Sequence, residues 1–237
     1  MTSFILKWIA IASMLIDHIG ASGLIPTDGL PYFVCRSIGR LAFPLFAFMI
    51  AEGYFYTKNY KKYIMRLIVF MAISEIPFDL FLRGSFPVWE SQSIYVTFTI
   101  ALAGLYFFDH FAAAGKRMQS LLALLTAAFA AEQLNADYGV YGILIVFIFY
   151  FYRDRPRSAA AWFSAVVIIN AILNAVSAMP LTRSAIFALI NIFALFALIP
   201  ILLYNRKKGY SSSKWQYFFY AFYPVHLIIL YFLAGMR

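Results

Sequence analysis

Apolar residues run along this chain in long stretches separated by short polar, Gly- or Pro-containing clusters. Their lengths approach the roughly 20 helical residues that a bilayer core of about 30 Å requires. The pattern predicts nine helices: Phe4 to Ile25, Tyr32 to Phe55, Tyr63 to Leu82, Ile94 to Ala112, Met118 to Leu134, Tyr138 to Tyr152, Ala160 to Ala178, Ala185 to Tyr204 and Tyr217 to Ala234. The fifth and sixth are short. Asp17 and His18 inside the first stretch set it apart from the apolar centre of a cleaved signal peptide.

Charge on the connections tests this count, because Lys and Arg in short loops gather on the cytoplasmic side. Lys58, Lys61, Lys62 and Arg66 mark the second connection, Lys116 and Arg117 the fourth, Arg153, Arg155 and Arg157 the sixth, and Arg206, Lys207, Lys208 and Lys214 the eighth. These are thirteen of the 19 basic residues. The odd connections are poor in them: Pro26 to Pro31 carries only Asp28, Gly84 to Ser93 follows Arg83 and carries Glu90, Glu132 to Asp137 is acidic, and Met179 to Ser184 carries Arg183. The expectation is an all-α polytopic membrane bundle of about nine helices, one domain over residues 1–237, with its N-terminus inside and its C-terminus outside.

Composition agrees. The chain is 64% apolar and 12% charged, with a mean hydropathy of +0.80, against about half and a quarter for a soluble domain. A net charge of +9 would suggest nucleic acid in a soluble protein; here it records topology, and no nucleic-acid partner is expected. One Cys and three His leave no disulfide and no cluster at zinc-binding spacing, so no metal is expected.

Ionisable residues within the spans are the first functional candidates, since charge at depth is costly and normally faces the protein interior. Asp17 and His18 lie in the first span, Arg40 in the second, Glu75 in the third and His226 in the ninth. At 1.5 Å per residue, His18 falls about 9 Å from the outer face, Arg40 and Glu75 about 12 Å from it, and His226 near the midplane. Lys7, Ile11, Met14, His18 and Ser22 share one helical stripe. Asp17 points about 100° away from His18, toward an Arg on a neighbouring helix rather than toward that imidazole. Arg36, Arg40, Pro44, Ala47 and Ala51 share a face of the second span. Glu75 and Asp79 flank Pro77, where the helix is expected to bend. Plainer roles compete: Arg40 with Glu75 as an ion pair pinning two helices, Arg36 and Asp79 as residues reaching the outer interface, and Asn170, Asn174, Ser177 and Asn191 as interhelical hydrogen-bonding groups.

Several strings resemble one known family. "LKWIAIASMLIDHIG" (Leu6 to Gly20), "GRLAFPLFAFMIAEGYFYTKNYKKYIMRL" (Gly39 to Leu67), "ISEIPFDLF" (Ile73 to Phe81), "DYGVYGILIVFIFY" (Asp137 to Tyr150) and "YAFYPVHLIIL" (Tyr220 to Leu230) are similar to the TraX family, membrane proteins named for N-terminal acetylation of conjugative pilin. That family is in turn similar to membrane acyltransferases such as heparan-glucosaminide acetyltransferase, which use cytoplasmic acyl-CoA to modify an acceptor across the membrane. The resemblance implies acetyl-CoA as co-substrate, a bacterial cytoplasmic-membrane location and an extracytoplasmic acceptor, whether a pilin-like peptide, a glycan or a lipid. By analogy with the wider set it implies His18 as the catalytic group. The fourth span departs from the family pattern: Tyr95 and Val96 stand where an Asn is expected, while Thr97 and Thr99 remain.

These residues suit such a reaction. Lys7, Arg36, Lys58, Lys61, Lys62, Arg206, Lys207 and Lys208 are candidate cations for the phosphates of coenzyme A. The pantetheine arm is expected between Ile11 and Met14 on one side and Ala47 and Ala51 on the other. His18 would act as base, Arg40 or a backbone N–H near Pro44 or Pro77 would hold the oxyanion, Glu75 would hold Arg40, and His226 would orient the acceptor or protonate the leaving thiolate; Asp17, Asp79, Thr97 and Asn174 would support them. A direct route and a covalent acetyl-imidazole route both fit. Two other readings use the same residues: a haem or quinone redox protein with His18 and His226 as ligands, and a proton-coupled transporter or flippase relaying through Asp17, Glu75 and Asp79.

Overall fold

The computed structural model describes residues 1–27, 29–177 and 189–235. Asp28 and the connection Met179 to Ser184 with Arg183 lie outside the described residues, as do the expected helix ends at Ala178 and Ala185. The helices are α1 (Ser3–Ala21), α2 (Leu30–Gly39), α3 (Ala42–Tyr56), α4 (Tyr60–Arg83), α5 (Ile94–Ala113), α6 (Arg117–Gln133), α7 (Gly139–Phe151), α8 (Pro156–Ser177), a 3-10 segment (Leu189–Ala197) leading into α9 (Leu198–Leu202), and α10 (Ser213–Gly235). Each of the nine expected stretches is helical over most of its described residues, the first ending at Ala21 rather than at Ile25. Among the described residues, five helical stretches are long and apolar enough to cross a bilayer by themselves: Ser3–Ala21, Leu30–Tyr56, Ile94–Ala113, Pro156–Ser177 and Ser213–Gly235.

Two stretches depart from a plain helix. The second span breaks at Arg40 and Leu41, where Arg40 N–H donates to Ser37 O at 3.3 Å and Leu41 N–H to Ile38 O at 3.1 Å. Pro44 explains the break: it has no N–H to offer the Arg40 carbonyl, and its ring crowds that carbonyl. The eighth span is wound mostly as a 3-10 helix. The third span, by contrast, stays helical through Pro77.

Contacts between connections divide the bundle into two ends. At one end Ser3 and Phe4 N–H donate to the Lys207 and Lys208 carbonyls, Tyr56 hydroxyl donates to Arg206 O, and Arg206 pairs with Asp154 at 2.7 Å. At the other, Gln92 bridges Ala136, Asn135 donates to Trp89 O, and Asp79 accepts from Val88 N–H. The basic second, sixth and eighth connections thus meet at one end and the basic-poor third and fifth meet at the other, the sorting that alternate crossing demands. The short α7 runs between them with Ile143, Ile145, Val146 and Phe147 almost fully buried, as suits a helix enclosed by others. The apolar exposure falls on outer helices, with Ile169, Leu173 and Val176 on α8 and Leu121, Leu125 and Phe129 on α6, surfaces that only a lipid solvent makes inexpensive.

α5 meets α6 and α7, α1 meets α2 and α3, and α4 meets α10. Gly104 permits the α5–α6 approach, since a Cβ there would lie 2.7 Å from the Ala127 Cβ. Gly104→Leu is expected to cost roughly 1–3 kcal/mol, read as a lower Tm in detergent, whereas Gly235→Ala, at the open end of α10, is expected to shift it less.

Candidate functional site

The ion cluster at the head of the site follows from how α1 and α2 meet. A Cβ on Gly39 would overlap the Asp17 carboxylate, and one on Gly20 would lie 2.8 Å from the Cys35 Cβ. The two glycines bring the backbones together, and the helix break swings Arg40 toward α1. Asp17, 9% exposed, accepts from Arg36 Nη1 at 2.8 Å and from Arg40 Nη2 at 2.9 Å. Arg40 also donates through Nε to Arg36 O at 3.2 Å and through Nη1 to Asn191 Oδ1 at 3.4 Å. Asp17 thus meets arginines of the neighbouring span, as its helical phase requires.

The next residue on α1 turns to α10. His18 Nδ1 lies 2.6 Å from His226 Nε2, with the rings 18° from parallel. His226 Nδ1 lies 2.7 Å from Phe222 O. A carbonyl only accepts, so this nitrogen carries its proton. Pro224 in the same helix frees the Tyr220 carbonyl, which accepts from Tyr95 hydroxyl at 2.8 Å.

A cavity of about 720 Å³ joins this layer to the basic end. Lys7, Tyr56, Lys58 and Lys208 line it at the basic end, Met14, Phe46, Met49, Tyr63 and Arg66 along its length, and Asp17, His18, Arg36, Arg40, Asp137 and Tyr138 at its far end. A second cavity of about 250 Å³ shares Arg40, Phe43, Asp137 and Tyr138 with the first.

Several expectations need correction. Glu75 does not hold Arg40: it accepts from Ser93 Oγ at 2.6 Å and from Ser93 N–H at 3.2 Å, because the start of α5 presents backbone donors without helical partners. Asp79 does not reach an outer interface but is 3% exposed, holding the α4–α5 connection through Val88 N–H at 2.8 Å. Arg36 is likewise no interface residue, since Asp17 holds it in the cavity wall. His226 is 5% exposed behind His18 and outside the cavity lining, so it does not face an acceptor or a thiolate. Lys61, Lys62, Arg206 and Lys207 do not line the cavity: Tyr63 and Arg66 occupy the inward face of α4, and Arg206 is held by Asp154. Ala47 and Ala51 are buried away from the cavity and Ile11 is outside its lining, because the break at Arg40 rephases α3 so that Phe46, Met49, Ile50 and Gly53 face inward. Lys7, Lys58 and Lys208 do line it, and Lys7 Nζ stands 5.4 Å from the Phe219 ring centre. Thr97 is buried beside Tyr138 N–H, at 3.5 Å, and Asn174 lines the second cavity.

Asp137 and Tyr138 were not singled out from the sequence. Asp137 reads there as one more acid of an outer connection; its neighbours Tyr138 and Tyr141 are the signal that the loop folds inward. Burial pushes the Asp137 carboxyl from 3.8 up to about 6, with the nearby Arg40 charge opposing. The folded chain therefore binds this proton more tightly than the unfolded chain, a contribution present below about pH 4 and lost as pH rises through about 6.

Two outcomes follow. Asp17→Asn leaves two guanidinium groups without their carboxylate, expected to cost about 3–5 kcal/mol and to appear as a sharp loss of Tm in detergent. The Tm of Asp137→Asn relative to wild type is expected to rise between pH 4 and pH 6 and to level above that, measured by thermal melts across pH.

A family description, TraX protein, matches residues 3–234. A curated relative, "Probable fimbrial assembly protein FimC, serogroup H1" of Dichelobacter nodosus, is 30% identical over 244 residues, covering 97% of this chain and 94% of that protein. No solved structure matches significantly. With its apolar helices and a match that runs nearly from end to end, this chain is a multi-pass membrane protein of the TraX family.

Proposed function

We propose that this protein moves an acetyl group from acetyl-CoA, entering at the basic end, to an acceptor reached from the opposite end. The observation that carries this reading is the single cavity running from Lys7, Lys58 and Lys208 to His18. The basic end faces the cytoplasm, where acetyl-CoA is found, by the positive-inside rule. From Lys7 to His18 the helix rises about 16 Å, on the order of the length of a pantetheine arm. Lys7, Lys58 and Lys208 would meet the phosphates, and Met14, Phe46 and Met49 would flank the arm.

His18 supplies the base. With Nδ1 of His226 donating to Phe222 O, the neutral His226 ring offers Nε2 as an acceptor, so His18 donates from Nδ1. The unprotonated His18 Nε2 is then the nitrogen left for the cavity. It takes the acceptor's proton as the acceptor attacks the thioester carbonyl, and returns it to the sulfur when the C–S bond breaks. Arg36 and Arg40, held by Asp17, supply N–H donors for the oxyanion. His226 is a positioning residue that sets the tautomer of His18. A direct transfer and an acetyl-imidazole intermediate both use this nitrogen.

The relative's name supports a pilus-related role with a pilin-like acceptor. The redox alternative gains little from the geometry: two imidazoles hydrogen-bonded at 2.6 Å have no room for a metal between them, since bis-imidazole ligation sets the nitrogens about 4 Å apart.

Acetyl-CoA is expected to raise the Tm of the purified protein. His18→Ala is expected to lower labelled-acetyl transfer by about a thousandfold or more while that thermal response persists. Flux driven by a pH gradient, with no response to acetyl-CoA, would favour a transporter instead.

A further inference from the structure

The cations of the larger cavity stand in two tiers. Lys58 and Lys208 are exposed residues of the connections that precede α4 and α10, and the Lys208 carbonyl accepts from Phe4 N–H at the start of α1. Lys7 and Arg66 lie further in, half-buried, about one turn inside α1 and nearly two turns inside α4. Adjacent residues of α10 mark their common level: Lys7 Nζ stands 5.4 Å from the Phe219 ring centre, and Arg66 donates to the Tyr220 hydroxyl.

A guanidinium inside a span normally meets a carboxylate. Arg36 and Arg40 meet Asp17 in this way, and Arg153 meets Glu52. Arg66 has no ion pair among the described residues. Its neighbours are the uncharged Tyr220 hydroxyl and the Tyr63 ring, 5.7 Å away, and its Nε makes no hydrogen bond. The acids toward this end are engaged elsewhere: Glu52, which also lines the cavity, with Arg153, Asp154 with Arg206, and Asp109 with the Tyr54 and Tyr150 hydroxyls. A cavity-lining cation at this depth without a fixed counter-charge calls for an anion from outside the chain.

We infer that Arg66, with Lys7, holds the diphosphate of the donor, and that Lys58 and Lys208 hold its 3′-phosphate at the mouth. This rests on the acyl-transfer reading above. In coenzyme A the pantetheine arm leaves from the diphosphate, and the 3′-phosphate sits on the ribose beyond it. A donor that enters arm first places its diphosphate at the inner tier and its 3′-phosphate at the outer one, the order in which the cations stand. Its charge, about four negative, is met by these four side chains. The rise from Lys7 to His18 is about 16 Å, and from Arg66 to Phe81, whose ring centre lies 5.4 Å from that of His18, about 22 Å. A diphosphate anchored at this level leaves the arm the length that brings its thioester to the imidazole. Arg66 is thus a positioning residue that sets the reach of the arm, its planar fork suited to two phosphate oxygens.

The test measures Kd by titration calorimetry on the full-length protein in detergent, with coenzyme A, 3′-dephospho-coenzyme A, pantetheine and inorganic pyrophosphate as probes. Arg66→Gln is expected to weaken coenzyme A and 3′-dephospho-coenzyme A alike, by about tenfold or more, and to leave both the ratio between them and the affinity for pantetheine unchanged. Lys58→Gln with Lys208→Gln is expected instead to bring that ratio toward one. Arg66→Lys, which keeps the charge and loses the fork, is expected to fall between wild type and Arg66→Gln. The unliganded Tm of Arg66→Gln is expected to equal or exceed that of wild type, because a cation without a counter-charge is removed from the span. Unchanged binding of 3′-dephospho-coenzyme A to Arg66→Gln, or a fall in its unliganded Tm with pantetheine binding lost as well, overturns the assignment. Pyrophosphate bound by wild type and not by Arg66→Gln, with coenzyme A bound by neither, keeps the anion site and overturns the acyl-transfer reading.

Discussion

One carboxylate between two guanidinium groups, inside a bundle whose outer surface faces lipid, organises this molecule. None of the three charges is tolerable alone at that depth. Together they are, provided Asp17 reaches both Arg36 and Arg40 at hydrogen-bonding distance. That condition accounts for features that look unrelated along the chain. Gly39 leaves room for the carboxylate, Pro44 breaks the second span just after Arg40, and Asn191 takes up a remaining Arg40 donor. His18 follows Asp17 on the same helical turn, so fixing the carboxylate also fixes the direction in which the imidazole leaves the helix.

The approximate places of the apolar helices, the alternation of basic and basic-poor connections, and the arginine partners of Asp17 were legible from residue type and helical period. Each rests on a rule that acts locally: bilayer thickness, loop charge, 3.6 residues per turn. The partner of Glu75 was not legible, because charge complementarity points to Arg40, whereas the groups that bind Glu75 are the Ser93 hydroxyl and a backbone N–H exposed only once α5 begins there. The face that α3 turns to the cavity was misread for a related reason. A continuous helix from Tyr32 puts Ala47 and Ala51 in line with Arg40, and a break of two residues is enough to replace them with Phe46, Met49 and Gly53.

Lys61 and Lys62 show that a cation near the right end of a helix need not point into the cavity that opens there. Tyr63 and Arg66 hold the inward face of α4, and the two lysines before them are turned to the outside. Asp137 shows the converse. In a short acidic connection it looks like a marker of sidedness, yet the pairing of Gln92 with Ala136 draws that connection over the bundle end and brings the carboxylate to the wall between two chambers.

The close approach of α1 and α2 carries a mechanical implication. Gly20 receives the Cys35 side chain and Gly39 the Asp17 carboxylate, so the two helices interlock at two levels with no spare room between them, and the ion triad clamps the same seam. The pair therefore moves as one stiff girder. Any rearrangement of the bundle is therefore expected in the elements packed around this pair rather than within it.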